Sequence, residues 1–202
     1  MRTLLAWWDA CLSSHSCTQL LNFPHVRLIE FILSMVAIDE EIKLLAENIL
    51  NKLSNVPFRI DEVGPFVSVL IRVGAKAESW RHRSLVLQFI DVFNYRNLFL
   101  ISDNQRRDLI KHVDNMIFDK QPEVQAKAAN TLTSMIRASP TAFSIECRRQ
   151  SYMAMLKKNH QQQWQFCELP TLRAEWTCQI HGAVLGLGAL LLAFPYRTAL
   201  AS

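Results

Sequence analysis

The sequence predicts an all-α chain, a solenoid of three to four stacked antiparallel helical hairpins. Three observations carry this. Apolar residues recur at helical spacing along most of the 202 residues, and no period-2 run survives inspection. The first helices of successive hairpins begin near residues 61, 104 and 145, about 43 and 41 residues apart. Glycine and proline are scarce, at 5 and 7, which argues against a turn-dense β sandwich needing many positive-φ positions.

The elements follow in chain order. Residues 26–36 and 42–53 are helical in pattern and make one more candidate pair within an N-terminal segment, 1–57. From 58 onward the pattern divides into repeats at about 61–101, 104–138 and 145–196. Asp61 to Val73 places Val63, Phe66, Val67, Leu70 and Ile71 on one face, with Gly74 as the expected stop. A very apolar helix follows from Trp80 to Phe99. Leu109, Ile110, Val113, Met116 and Ile117 then line one helix face. Asp103 or Asn104 is its expected cap, accepting an orphan backbone N–H. Asp119-Lys-Gln-Pro122 breaks that helix, and Pro122 suits the first turn of the next, where its missing N–H costs nothing. That helix carries Val124, Ala128, Leu132, Met135 and Ile136, stopping before Pro140. A last pair, 145–157 and 176–194, is joined by a Gln-rich connector around 161–165. A repeat of 40–47 residues built from helix pairs is that of HEAT and armadillo units.

Composition bounds the function. The net charge is +4 with a pI near 8.9, too mild for a dedicated nucleic-acid face, so sequence-specific nucleic-acid binding is not expected. The five cysteines form no CxxC pair and no Asn-x-Ser/Thr acceptor exists, which favours a reducing compartment. At the N-terminus, Asp9 interrupts the apolar run, so no signal peptide is expected. Residues 180–194 are apolar except His181. That run falls short of the roughly 20 residues a membrane span needs, so a buried helix is expected and no membrane partner. Gly182-x-x-x-Gly186 then marks close helix packing. Each hairpin of a solenoid buries its apolar face only against neighbours. Leu4, Leu5, Trp7 and Trp8 near one end and an apolar helix at the other look uncapped. The expectation is one end of a longer array, or an incompletely wrapped product.

Catalytic signatures are missing: no phosphate-binding loop, no GxSxG and no HExxH occurs. Cys178-x-x-His181 with Cys167 offers three zinc ligands but no fourth, so no metal, no other cofactor and no enzyme activity are expected. Basic pairs stand at Arg81/Arg83, Arg106/Arg107, Arg148/Arg149 and Lys157/Lys158. Arg148, Arg149, Lys157 and Lys158 flank the connector and form the candidate patch for an acidic partner or chromatin. Trp80, Phe89, Phe93, Tyr95 and Phe99 form either a core or an aromatic pocket wall.

One stretch is more specific than any generic helix. Ile180-His-Gly-Ala-Val-Leu-Gly-Leu-Gly-Ala-Leu-Leu-Leu-Ala-Phe-Pro-Tyr196 resembles a segment near the C-terminus of the large HEAT-repeat proteasome activators. The stretches 119–132 and 80–99 resemble the hairpin and the aromatic helix before it there, in the same order. The resemblance covers about 80–196 best. It implies an ATP-independent, non-proteolytic α-solenoid that caps the proteasome core particle and regulates degradation of peptides and acetylated histones. It also implies a nuclear and cytosolic location and a link to DNA repair. The family docks through a tail with a penultimate tyrosine, whereas this chain ends Arg197-Thr-Ala-Leu-Ala-Ser202. The expectation is that this chain alone does not activate. The family's acetyl-lysine site uses an Asn-Phe pair. Here Ser139-Pro140 stands in its place, and Phe93, Tyr95 and Phe143 remain as candidate pocket residues.

Overall fold

The structure is a computed structural model that describes residues 2–13, 30–32, 40–53, 58–138, 145–162 and 170–194. These residues are helical or in short turns and include no strand, so the fold is all-α and solenoid-like, as the periodicity predicts. The longer helices are α1 (Arg2–Ser13), α2 (Glu40–Leu53), α3 (Ile60–Lys76) and α4 (Trp80–Arg96). After them come α5 (Asp103–Met116), α6 (Pro122–Ala138), α7 (Ile145–Gln162) and α8 (Pro170–Ala193). The chain divides into two compact units, Met1–Gln105 and Arg106–Ser202.

In the first unit α1 packs on α2, and α4 packs on both α3 and α2. Helix α1 lies in the N-terminal segment for which the sequence predicts no signal peptide, and it buries Leu5 and Trp8. Lys52 at the end of α2 reaches back to the Asp9 carboxylate at 2.7 Å. Of the expected 26–36 helix, only 30–32 are described, and these are helical. The core is aromatic. Phe58 stacks on Phe66 at 4.8 Å, and Phe93 meets both rings edge-on at 5.2 and 4.9 Å. Phe89 adds a further edge contact to Phe66 at 5.5 Å. Such tilted pairs align ring edges with ring faces and add to plain area burial.

Three helix boundaries differ from the sequence expectation in this unit. Gly74 does not end α3. It lies buried within it, no glycine among the described residues has positive φ, and the helix runs to Lys76. Glycine stops a helix through a left-handed conformation, which Gly74 does not adopt. Second, α4 ends at Arg96 rather than Phe99. Asn97 directs both its backbone N–H and its Nδ2 onto the Phe93 carbonyl, each at 3.0 Å, and the following amides of Leu100 and Ile101 turn onto Asn97 O. Third, neither Asp103 nor Asn104 caps α5. Ser102 does, through a reciprocal pair in which Gln105 N–H donates to Ser102 Oγ at 3.4 Å and Ser102 N–H donates to Gln105 Oε1 at 2.9 Å. This is the S-x-x-Q capping box, which satisfies two orphan donors at once.

In the second unit Pro122 does open α6, with Asp119 Oδ1 accepting the Gln121 amide at 2.9 Å just before it. The last two helices are longer than expected. Helix α7 extends to Gln162, so Gln161 and Gln162 are helical; 163–165 of the expected connector lie outside the described residues. Helix α8 begins at Pro170, six residues before the expected Trp176. Its polar first turns join the apolar run, so Arg173–Ala193 is long and apolar enough to cross a membrane by length and composition, with 33% of its apolar window buried against the protein. Both α6 and α7 pack on α8.

Candidate functional site

Helix α8 carries the sequence segment that is least generic, and the second unit is built around it. An ideal Cβ placed on Gly182 would lie 2.5 Å from the Ile117 carbonyl oxygen and 2.8 Å from the Phe118 ring. A Cβ on Gly186 would lie 2.6 to 2.9 Å from the Tyr152 ring. Real side-chain carbons do not come so close. Glycine at these two positions, one turn apart on the same face of α8, lets it settle against the end of α5 and against α7. The G-x-x-x-G spacing therefore marks close helix packing, as expected. Gly188 differs: nothing lies within 4 Å of its would-be Cβ.

Polar bonds run along the α6–α8 contact in register. Gln125 donates from Nε2 to Cys178 O at 3.1 Å and to Asp119 O at 2.7 Å, while its Oε1 meets His181 Nδ1. Farther along, Thr133 Oγ1 donates to Ala189 O at 3.4 Å and Arg137 Nε to Leu192 O at 3.2 Å. Residues rising along α6 meet residues rising along α8, so the two helices run parallel, with α7 between them in the chain. Gln125 is buried, and a buried amide must find partners for its donors and acceptor or lose their hydration uncompensated.

The one buried carboxylate among the described residues is Asp114, on the core-facing side of α5. The phenol of Tyr152 donates to its Oδ1, and Arg148 Nη1 pairs with its Oδ2. Asp114 is 2% exposed and Tyr152 is 1% exposed. Burial pushes the Asp114 carboxyl above its ordinary range, while Tyr152 and Arg148 pull it back. Burial, then the Asp114 charge, pushes the Tyr152 phenol well above its ordinary value. Arg148 and Tyr152 are one turn apart on α7, so both anchors of that helix end on one carboxylate.

The predicted basic patch is divided by this arrangement. Arg148 turns inward to Asp114. Arg149 makes a two-point pair with Glu146, at 2.9 and 2.7 Å, which holds the Glu146 carboxyl below its usual range, with Gln150 assisting. Lys157 and Lys158 are exposed. The aromatic candidates are divided as well. Phe93 is 0% exposed inside the four-phenylalanine core, whereas Tyr95 is 74% exposed. Two residues along a helix is a rotation of about 200°, so the two rings cannot wall one pocket. Phe143 lies outside the described residues. Of the zinc candidates, Cys178 directs its thiol to Lys120 O at 3.8 Å and His181 is bonded to Gln125. Cys167 lies outside the described residues, and no His/Cys/Asp/Glu cluster suited to a metal occurs among those described.

Asp114 and Tyr152 were not singled out from sequence. Asp114 nonetheless interrupts an apolar face formed by Ile110, Val113 and Ile117, and a carboxylate at such a position signals a buried partner.

No family model matches the chain. Curated relatives do. The chain is 28% identical to proteasome activator subunit 4 of Arabidopsis thaliana over 130 residues, 63% of this chain and 7% of that protein. It is 26% identical to proteasome activator complex subunit 4 of Xenopus laevis over 210 residues, 97% of this chain and 11% of that protein. The human protein of that name is 26% identical over 138 residues, 65% of this chain and 7% of its own length. The chain is thus related in sequence to proteasome activator subunit 4, and it spans about a tenth of the length of these relatives or less.

Proposed function

We propose that this chain is a HEAT-type helical segment from the C-terminal part of a proteasome activator. In this reading it acts as a binding scaffold without chemistry of its own. It contributes to association with the proteasome core particle and to ATP-independent control of peptide degradation, with acetylated histones among the substrates. Its place is the nucleus and cytoplasm, and α8 serves as a packed helix rather than a membrane span.

One observation carries the reading: similarity to proteasome activator complex subunit 4 extends over 97% of this chain. The helical packing supports it. A chain stitched together by Gln125, Thr133 and Asp114 uses its buried polar groups to hold helices, not to converge on a reacting atom. The acidic-partner alternative is weaker, because Arg148 and Arg149 are engaged within the protein.

The test mixes the purified chain with purified core particle without ATP and follows co-migration on native gels, then cleavage of a fluorogenic peptide. Co-migration supports the reading. No co-migration at micromolar concentration overturns it for this chain. Degradation of acetylated and unmodified histones side by side tests the substrate clause, and equal rates would remove it. Imaging of the tagged chain tests the location.

A further inference from the structure

We draw no further inference here: the strongest candidate, the exposed apolar stripe of α8 formed by Val184, Leu191 and Leu192, is an unpartnered helix face, and nothing in the structure shows what covers it.

Discussion

Tyr152 donates its phenolic hydrogen to Asp114 across 38 residues of sequence, in a place where both side chains are shut away from water. This bond joins α7 to α5, and Arg148 shares the same carboxylate. Removing the phenol or the carboxylate leaves its buried partner uncompensated, while the partly exposed Arg148 can still meet water. Tyr152→Phe should cost about 1.5–3 kcal/mol, the range for a bond to a charged group. Asp114→Ala should cost at least as much, about 2–3 kcal/mol, because it leaves the buried Tyr152 phenol without an acceptor and Arg148 without its carboxylate. Urea unfolding followed by circular dichroism measures both. A loss under about 0.5 kcal/mol for Tyr152→Phe would show that the bond contributes nothing net.

The glycines of α8 make a sharper comparison, because the same substitution has opposite expected signs. Gly188→Ala meets open space and replaces a poor helix former by the best one. It should stabilise by about 0.5–1 kcal/mol. Gly182→Ala drives a methyl into the Ile117 carbonyl and the Phe118 ring, and Gly186→Ala drives one into Tyr152. Each should destabilise by about 1–3 kcal/mol, the range for overpacking a core. Thermal unfolding of the three variants decides the matter. Equal effects at 182, 186 and 188 would mean that α8 does not approach its neighbours as closely as described.

Much of this architecture is legible in sequence, and the misses share a cause. Helix α6 is readable because Pro122 and the apolar 3–4 spacing from Val124 to Ile136 are local signals. The class of the fold follows from the same spacing. The ends of α4 and α5 depend instead on which side chain captures a backbone group: Asn97 closes α4, and Ser102 with Gln105 opens α5. Several polar residues near each end could have done so. The far end of α7 leaves no signal because residues 158–162, Lys-Asn-His-Gln-Gln, contain no apolar residue and so no helical period. Its anchors Tyr152 and Arg148 meet on α5, out of sight of any local pattern. Phe93 and Tyr95 share aromatic character but not a helix face. Their separation of two residues already placed them on opposite sides of a helix.

Acid should weaken the fold through His112. Its Nε2 is buried without a partner, and burial holds its pKa below the ordinary 6.5. As the pH falls through 6.5, the unfolded chain takes up this proton before the folded one does. Stability is therefore full above that value and declines below it. Asp114 has the opposite sign. Its raised pKa lets the folded state take a proton first, so acidification toward 3.8 relieves its burial cost. The two effects oppose each other, so a variant lacking His112 isolates its share. The Nε2 of His82 is also buried, and burial lowers that pKa in the same way. His112→Leu should therefore reduce, not abolish, the loss of stability between pH 7.5 and 5.5, as read by denaturant midpoints at each pH. The same slope in both proteins would exclude His112 as a source.

Phe93 and Tyr95 supply the contrast that bears on any ligand-reading role. Phe93 is sealed within the Phe58, Phe66 and Phe89 cluster. Truncation there opens a cavity, and Phe93→Ala should cost about 3–5 kcal/mol. Tyr95 projects into solvent from the opposite side of α4, and Tyr95→Ala should change stability by no more than about 0.5 kcal/mol. If this chain binds acetyl-lysine peptides through Tyr95, that variant should lose binding while keeping its unfolding midpoint. Binding that survives Tyr95→Ala would place recognition elsewhere. Fluorescence anisotropy with acetylated and unmodified histone peptides, run beside denaturant unfolding of both variants, distinguishes loss of a contact from loss of the fold. A Phe93→Ala protein that unfolds at the unaltered midpoint would contradict the sealed aromatic core itself.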